Sequence, residues 1–476
     1  MQGFVREIVK DLRGRAVTVV GLARSGAGAA NLLSRLGASV TVTDRKGPQE
    51  LKPFLDKLLP GVKTVLGGHP SELFDNADLI VISPGVPLSI APLKQAAGKG
   101  VKIIGELELA YQALESPGSG DSVRPSFLAV TGTNGKSTTT TLLYEMVRNG
   151  GLRAVLGGNI GYALTEAAFN SSDELSPGFI VAEVSNFQLE TIDEFRPKGS
   201  VILNITPDHL DRYPSMSGYI EAKCAIFANQ GAGDFLVLNA DDPVTEEVLK
   251  KAGRRWTGRE RPELFFFSRK KEVRGAYCRG EAICFDVPGV PPSFSLDPST
   301  FRIKGVHNIE NAMAAALMAL LSGCRADAVA DTMKKFPGLE HRLEFVREIG
   351  EVKFINDSKG TNVGAVVKSL ESFERPVILI AGGRDKDGDF TGLRAPVRER
   401  VKALVLIGEA REKMKKALWD VSDIFMEDDF RGAIARAKAL ASPGDVVLLS
   451  PACASFDMFK DFEDRGRQFK KAVMEL

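Results

Sequence analysis

Short apolar runs alternate along this chain with longer stretches whose apolar residues recur at helical spacing. Parallel strands need a long crossover connection, which a helix usually supplies, so this βα rhythm predicts parallel sheets. An alanine-rich segment at residues 308–321 predicts a buried helix that ends before Gly323. The predicted strands are residues 16–20, 39–43, 79–83, 127–130, 178–184, 200–204, 235–239, 352–356, 377–381, 403–407 and 446–450.

Two breaks in this pattern divide the chain into three predicted domains. The segment 116–125 has almost nothing to bury and is typical of a linker, and a Phe-Pro-Gly sequence at 336–338 ends the second α/β series. A chain of 476 residues is also long enough for about three cores. We therefore predict an α/β protein with domains 1–120, 121–337 and 338–476. The outer two are expected to be Rossmann-like, and a small antiparallel β region is expected between residues 254 and 302.

The composition excludes several classes of protein. With 62 basic and 61 acidic residues, no global field would attract nucleic acid or an anionic membrane. The N-terminus mixes charges where a signal sequence would be apolar, and no apolar stretch is long enough to span a bilayer. We therefore expect a cytoplasmic enzyme without integral membrane association. The five cysteines, without a CxxC pair, predict neither a disulfide framework nor a structural zinc site.

A glycine loop between the strand at 127–130 and a helix is the strongest local pattern. Backbone N–H groups of such a loop cradle phosphates, its lysine reaches the terminal phosphates, and its hydroxyl ligates Mg²⁺. It predicts ATP binding by a central domain of the P-loop ATPase type. Val130 stands where the first glycine of the standard loop would be, so a chance glycine turn that contains lysine is the alternative. The loop residues are Thr131, Gly132, Thr133, Asn134, Gly135, Lys136, Ser137 and Thr138.

Two further polar residues follow predicted strands of the same domain. Glu183 ends the strand at 178–184, where α/β enzymes hold ligands, and would suit Mg²⁺, although a lone acid is as often a surface charge. His209 follows the strand at 200–204 and is flanked by Asp208 and Asp211, which could orient its ring. A lone histidine is usually structural, so its proximity to the phosphate loop is what favours a functional role.

A second glycine loop, near the N-terminus, precedes an acidic strand end. Gly21 follows the strand at 16–20, and Asp44 ends the next strand 23 residues later. This arrangement alone is compatible with a nicotinamide-cofactor site. The spacing is GxxxxG rather than GxGxxG, so the pattern is weak evidence.

The phosphate loop resembles that of the Mur ligase and folylpolyglutamate synthetase superfamily, and further motifs follow in that family's order. The resemblance implies that Asn308 and Asn311 contact adenine and that Arg342 reaches the ATP phosphates. It implies two Mg²⁺ ions, one on Ser137 and Glu183 and one on His209 and a carbamylated Lys223. For Asn308 and Asn311, and likewise for Arg342, the alternative is ordinary helix capping or a surface salt bridge. For Lys223 the alternative is a surface lysine of a helix.

The C-terminal motifs resemble the D-glutamate-adding Mur ligases. Asn-Asp-Ser-Lys-Gly-Thr-Asn at 356–362 stands where other members carry a different, histidine-containing motif. Asp357 and Lys359 would help fix the ATP end of the site. The implied D-glutamate contacts are Thr361, Lys386, Ser455, Phe456 and Phe462. The implied contacts to UDP-N-acetylmuramoyl-L-alanine are Gly21, Arg24, Ser25, Gly26, Asp44, Arg45, Asn159 and His209.

The implied reaction activates the L-alanyl carboxylate with ATP as an acyl phosphate, which the D-glutamate amine then attacks. Lys136, His209, Lys223, Asp357 and Lys359 would form the catalytic set. A folylpolyglutamate synthetase should lack the 356–362 motif, and a dehydrogenase would leave the Lys136 loop unexplained. A non-catalytic nucleotide sensor would lose the metal ligands, which are present in this sequence.

Overall fold

The computed structural model describes residues 12–115, 125–170, 178–208, 212–213, 215–258, 260–374, 376–385 and 388–476. Its strands form three separate sheets, and helices pack on them in each case. The prediction of a three-domain α/β protein is therefore confirmed. The exact domain boundaries stay a prediction, and the first of them falls at segment 116–124, outside the described residues.

The N-terminal sheet is entirely parallel, with the order β3-β2-β1-β4-β5 that is typical of a Rossmann fold. Its strands are β1 (Ala16–Val20), β2 (Ser39–Asp44), β3 (Lys63–Leu66), β4 (Leu79–Ile82) and β5 (Lys102–Gly105). The accompanying helices are α1 (Arg24–Arg35), α2 (Pro48–Leu55), α3 (Glu72–Asp75), α4 (Ala91–Gly98) and α5 (Glu106–Glu115).

The central sheet has the order β14-β13-β12-β11-β10-β9-β6-β8-β7. Its strands are β6 (Ser126–Thr131), β7 (Ala154–Gly158), β8 (Phe179–Glu183), β9 (Gly199–Ile202), β10 (Phe235–Asn239), β11 (Glu263–Ser268), β12 (Gly275–Arg279), β13 (Ala282–Phe285) and β14 (Ser295–Leu296). Only the β12-β13-β14 end is antiparallel, so the predicted antiparallel region extends the main sheet. The helices are α6 (Lys136–Asn149), α7 (Leu164–Asn170), α8 (Asn186–Leu189), α9 (Met216–Cys224), α10 (Thr245–Arg255), α11 (Val306–Leu321) and α12 (Ala326–Lys335).

The C-terminal sheet has the order β15-β16-β20-β17-β18-β19, and only β15 is antiparallel to its neighbour. Its strands are β15 (Glu344–Ile349), β16 (Val352–Asn356), β17 (Val377–Gly382), β18 (Val401–Ile407), β19 (Asp423–Met426) and β20 (Val446–Leu449). The helices are α13 (Val363–Leu370), α14 (Arg394–Arg400), α15 (Arg411–Leu418), α16 (Phe430–Leu440) and α17 (Phe462–Met474).

Burial of apolar side chains explains these layers. Every residue of β4, β10, β17 and β20 is buried, as expected for parallel strands that helices cover on both faces. In the central domain α11 packs against α6, and its small alanine side chains let the two helices approach closely. Full burial of one Leu or Met side chain contributes about 1.5–3 kcal/mol, so this layer holds the phosphate-loop helix firmly in place.

Carboxylates of α5 dock the N-terminal domain onto the central domain. Glu108 accepts backbone N–H groups of Asp193, Glu194 and Phe195 at 2.8, 2.9 and 3.0 Å. Glu106 accepts both the backbone N–H and the hydroxyl of Thr165, at 2.7 and 2.8 Å. Charge-assisted bonds of this kind are stronger than neutral ones, so the two domains form a firm interface.

The C-terminal domain meets the central domain through polar contacts. Asn362 Nδ2 donates to Asp208 Oδ2 at 3.3 Å, and Ser372 Oγ lies 3.4 Å from His307 Nδ1. His307 also lines a cavity between the two domains. None of the helices in the described ranges is both long and apolar enough to cross a membrane.

Candidate active site

The phosphate loop lies between β6 and α6, and β6 is an interior strand of the central sheet. Gly132 and Gly135 have φ angles of 152° and 85°, which favour glycine. A Cβ on Gly135 would lie 2.2 Å from Asn311 Oδ1, so glycine also lets α11 approach the loop. The cap residue of α6 forms no side-chain hydrogen bond, which leaves the first helical N–H groups for an anion.

Lys136 lies over this loop. Its ammonium donates to the carbonyl oxygens of Gly132 and Thr133 at 2.9 and 2.7 Å. Burial lowers the pKa of Lys136, while the nearby carboxylates of Glu183 and Asp208 act in the opposite direction. The cation is therefore already held at the position where a phosphate chain would lie.

Lys223 is buried beside the same loop. Only 1% of its surface is exposed, its Nζ donates to Gly132 O at 2.9 Å, and the amine lies 4.5 Å from the Tyr219 ring centroid. Burial lowers the pKa of Lys223 well below its ordinary value, and the charge of Lys136 lowers it further. The alternative of a surface lysine is therefore wrong.

Glu183 offers one free oxygen to this cluster. It ends β8, is 1% exposed, and its Oε1 accepts a hydrogen bond from Asn159 Nδ2 at 2.7 Å. Its Oε2 is buried and has no hydrogen-bond partner among the described residues, as is also true of Thr138 Oγ1. Burial of a carboxylate oxygen without a hydrogen-bond partner costs free energy unless a bound cation interacts with that oxygen. With the buried Ser137 hydroxyl nearby, this oxygen-rich set suits Mg²⁺.

The order of strands explains why these groups meet. β6 lies between β8 and β9, so the phosphate loop, Glu183 and the segment after β9 share one edge of the sheet. Asn204 follows β9 and ties the loop with its Oδ1, which accepts Asn134 N–H at 2.8 Å. His209 lies outside the described residues, so its role as a metal and substrate ligand stays a prediction.

A cavity of about 370 Å³ opens beside the loop, between the central and C-terminal domains. Asn311 lines it, whereas the buried Asn308 supports Asn311 by accepting its Nδ2 at 3.3 Å. His307 also lines the cavity, and burial lowers its pKa to about 4, so the ring is neutral at ordinary pH. A volume in this range is typical of small-molecule pockets. The other lining residues from the predicted site are Asn134, Gly135, Arg342, Asp357 and Lys359.

The C-terminal wall of the cavity carries a buried acid and two cations. Asp357 Oδ2 accepts the hydroxyls of Ser369 and Ser450, both at 2.7 Å, and burial raises the pKa of this carboxyl. Burial also lowers the pKa of Arg342. Lys359 Nζ lies 3.7 Å from the centroid of the Phe462 ring, and burial with repulsion from Arg342 lowers its pKa to about 8.

The low pKa of Lys359 predicts a pH dependence. We expect kcat/KM for ATP to fall as the pH rises through about 8, because the neutral amine no longer attracts the phosphates. Lys359→Arg should move this decline to higher pH, since a guanidinium stays protonated. Lys368→Arg, at a lysine of the same cavity whose side chain is 43% exposed, should leave the profile unchanged. Superimposable profiles for wild type and Lys359→Arg would contradict the assignment.

The predicted amino-acid contacts lie on loops that follow adjacent strands. β16, β20 and β17 are neighbours, so the loops with Thr361 and Ser455 emerge at one edge of the sheet. Ser455 is buried, Phe462 contacts Lys359, and Phe456 is 60% exposed. Lys386 lies outside the described residues, so its contact with a substrate carboxylate stays a prediction.

Arg465, for which the sequence predicts no role, connects the loops that follow β16 and β20. It is 1% exposed, and its guanidinium donates to Ser358 Oγ and Ser358 O at 2.9 and 2.8 Å. Further bonds go to the carbonyls of Cys453 and Ala454 at 3.3 and 3.4 Å. Burial lowers the pKa of Arg465 to about 10. One buried side chain thus fixes two loops of the predicted amino-acid pocket.

The N-terminal glycine loop forms a tight turn before α1. Gly21 has a φ of 94°, and a Cβ on Gly26 would lie 1.9 Å from Gly21 O. Asp44 shapes the loop, because its two oxygens accept the backbone N–H groups of Leu22 and Lys46 at 2.6 and 2.9 Å. The cap residue of α1 forms no side-chain hydrogen bond, so the first-turn N–H groups remain for a phosphate. Ser25 is half-buried and Arg45 exposed at this site.

Two residues predicted to contact the UDP substrate, Arg24 and Asn159, make hydrogen bonds within the protein, and their contact with the substrate stays a prediction. Arg24 donates to the carbonyls of Gly161, Gly158 and Asn159 at 2.6, 3.0 and 3.2 Å. The Asn159 amide is engaged with Glu183, as described above. Neither set of contacts is readable from the sequence, because the partners lie far away along the chain.

Three family models match successive parts of the chain. They describe a Mur ligase MurD-like N-terminal domain at residues 15–105, a Mur ligase middle domain at 130–319 and a Mur ligase glutamate ligase domain at 341–453. The chain is 45% identical to the UDP-N-acetylmuramoylalanine--D-glutamate ligase of Geotalea daltonii, over 98% of each chain. The enzyme of the same name from Pelotomaculum thermopropionicum is 44% identical, over 98% of this chain and 99% of the relative.

Solved structures with the same fold are more distant in sequence. MurF from Acinetobacter baumannii has a TM-score of 0.63 at 14% identity and covers 96% of this chain and 93% of its own. MurF ligase from Thermotoga maritima in complex with ADP has a TM-score of 0.59 at 16% identity, with 98% and 97% coverage. These likenesses concern the fold. Because the relatives extend over almost the whole chain and the three domain models follow in the same order, this protein belongs to the Mur ligase family.

Proposed function

We propose that the protein uses ATP to join D-glutamate to UDP-N-acetylmuramoyl-L-alanine, a step of peptidoglycan precursor synthesis, in the cytoplasm. The observation that carries this proposal is the meeting of Lys136, Lys223 and the free oxygen of Glu183 at one sheet edge. The full-length relatives that bear this activity in their names support the choice of substrates.

Electrostatics explains why the reaction needs this cluster. A substrate carboxylate must approach the γ-phosphate of ATP, and two unit charges at about 4 Å repel by about 4 kcal/mol at an effective dielectric near 20. Lys136 and Arg342 would bring positive charge to the phosphates, and Lys359 adds a third cation at the cavity wall. The repulsion between the two anions is offset where the acyl phosphate forms.

Four side chains of the central domain would hold two Mg²⁺ ions. Ser137 and Glu183 would hold one, and His209 with a carbamylated Lys223 would hold the other. Bound Mg²⁺ supplies charge neutralisation to the phosphates during the transfer. Lys223 is suited to carbamylation, because its depressed pKa favours the neutral amine, which is the form that reacts with carbon dioxide.

The remaining pockets receive the substrates. The cavity between the central and C-terminal domains would receive the adenosine of ATP, and the α1 loop the pyrophosphate of the UDP substrate. Lys386, Thr361 and Ser455 would bind the carboxylates of D-glutamate, with Phe456 and Phe462 beside them. Since the three sites lie on three domains, contacts such as Asn362 to Asp208 would close the site and protect the acyl phosphate from water.

The test is phosphate release from ATP in the presence of UDP-N-acetylmuramoyl-L-alanine and one amino acid at a time. We expect turnover with D-glutamate, and much less with L-glutamate, L-lysine or diaminopimelate. Product should form only when ATP, the UDP substrate and the amino acid are all present. Equal turnover with the L-enantiomer, or phosphate release that does not respond to D-glutamate, would overturn the proposal.

A further inference from the structure

Arg24 crosses from the N-terminal domain into the central domain and holds a turn there. Its guanidinium donates to the carbonyls of Gly158, Asn159 and Gly161, as described above. Gly158 and Gly161 have φ angles of 97° and 70°, so the turn depends on backbone conformations that favour glycine. A planar fork of N–H groups that binds three carbonyls of one turn restricts its conformation.

The turn at residues 158–161 orients Glu183 through Asn159. Asn159 is bonded to this residue twice, because its backbone N–H donates to Glu183 O at 2.9 Å and its Nδ2 donates to Glu183 Oε1 at 2.7 Å. The bonded oxygen fixes the carboxylate plane, so the free Oε2 points in one direction. Hydrogen-bonded chains behind a metal ligand typically change metal affinity 10-fold to 100-fold when they are broken.

We propose that Arg24 is a positioning residue for the metal carboxylate. From another domain, through the turn at residues 158–161, it holds Glu183 in the orientation that receives a divalent cation. The inference rests on the role given to Glu183 under the proposed function. It goes beyond that role, because it assigns an effect on cation affinity at the ATP site to Arg24, which lies beside the N-terminal glycine loop.

Contacts other than those of Arg24 also dock the two domains. Glu108 accepts three backbone N–H groups of the central domain, and Lys102 forms an ion pair with Asp193 at 2.7 Å elsewhere in the interface. A change at Arg24 therefore loosens the turn while the interface persists. A change at Lys102 removes an interdomain contact but leaves the turn intact, which makes it a matched control.

The experiment measures Mn²⁺ binding to the full chain in the presence of ADP, from the electron paramagnetic resonance signal of free Mn²⁺. We expect Arg24→Met to weaken Mn²⁺ binding about 10-fold. Arg24→Lys should recover part of the affinity, and Lys102→Met should bind as wild type. The Mg²⁺ concentration for half-maximal phosphate release should rise in parallel for Arg24→Met, while KM for D-glutamate stays unchanged.

Unchanged Mn²⁺ affinity in Arg24→Met would overturn the inference, as would an equal loss in Lys102→Met, which would indicate a general loosening of the interface. The binding measurement contains neither the UDP substrate nor an amino acid. If D-glutamate is not the substrate but Arg24→Met still loses affinity, the proposed reaction fails and the inference about Arg24 stands.

Discussion

Replacing Lys223 with alanine is expected to reduce ligase turnover about 100-fold to 1,000-fold. In the proposed mechanism the carbamate formed on this buried amine, beside Gly132 O, is an anionic metal ligand, and the alanine variant lacks it. The measurement is steady-state phosphate release at saturating ATP, UDP substrate and D-glutamate. Lys250→Ala, at an exposed lysine of α10, should leave turnover unchanged.

Chemical rescue distinguishes the carbamate from a structural role. Lys223→Ala opens space where the buried side chain was, and a short carboxylate such as acetate or propionate should restore part of the turnover. A purely structural role would show no such rescue. Wild-type turnover of the unrescued variant would remove Lys223 from the mechanism.

Replacing Arg465 with methionine is expected to lower the free energy of unfolding of the C-terminal domain by at least about 3 kcal/mol. The change leaves Ser358 Oγ, Ser358 O and Cys453 O without a donor, and each such buried acceptor costs about 1–3 kcal/mol. Ala454 O keeps the backbone N–H of Arg384 at 2.9 Å. Equilibrium urea unfolding would measure the loss. Arg467→Met is the control, because this arginine two residues away on α17 is 58% exposed, and such changes stay within about 0.5 kcal/mol.

A loss of stability alone would not show that Arg465 serves the amino-acid pocket. Arg465→Lys keeps the charge and some of the bonds, and should fold at low temperature with KM for D-glutamate raised more than KM for ATP. An Arg465→Met variant as stable as wild type would contradict the account of its bonds. Equal changes in both KM values for Arg465→Lys would restrict the residue to a structural role.

The buried parallel strands were predictable because they are continuous apolar runs. The expected strands near β1, β4 and β17 all exist at or within one residue of the expected bounds. The strands that the pattern missed are mostly at sheet edges, where one side faces solvent and polar residues interrupt the run. These edge strands are β3, β5, β7, β15 and β19.

The site was predictable where it depends on strand ends and unpredictable where it depends on long-range hydrogen bonds. The phosphate loop and Glu183 follow neighbouring parallel strands, and the structure brings them together. Nothing local, however, indicates that Asp44 binds backbone N–H groups or that Asn308 supports Asn311. Arg465 also gave no local signal, because an arginine on an amphipathic helix is ordinarily exposed.

Transfer of a labelled oxygen from the substrate carboxylate to phosphate would report formation of the acyl phosphate. The proposed acyl phosphate keeps an oxygen of the L-alanyl carboxylate between carbon and phosphorus, and the attack by the D-glutamate amine expels that oxygen with phosphate. With ¹⁸O in the carboxylate of UDP-N-acetylmuramoyl-L-alanine, mass spectrometry should therefore find one ¹⁸O in the released phosphate for each amide bond formed. Unlabelled phosphate accompanied by normal product formation would contradict activation of this carboxylate by ATP.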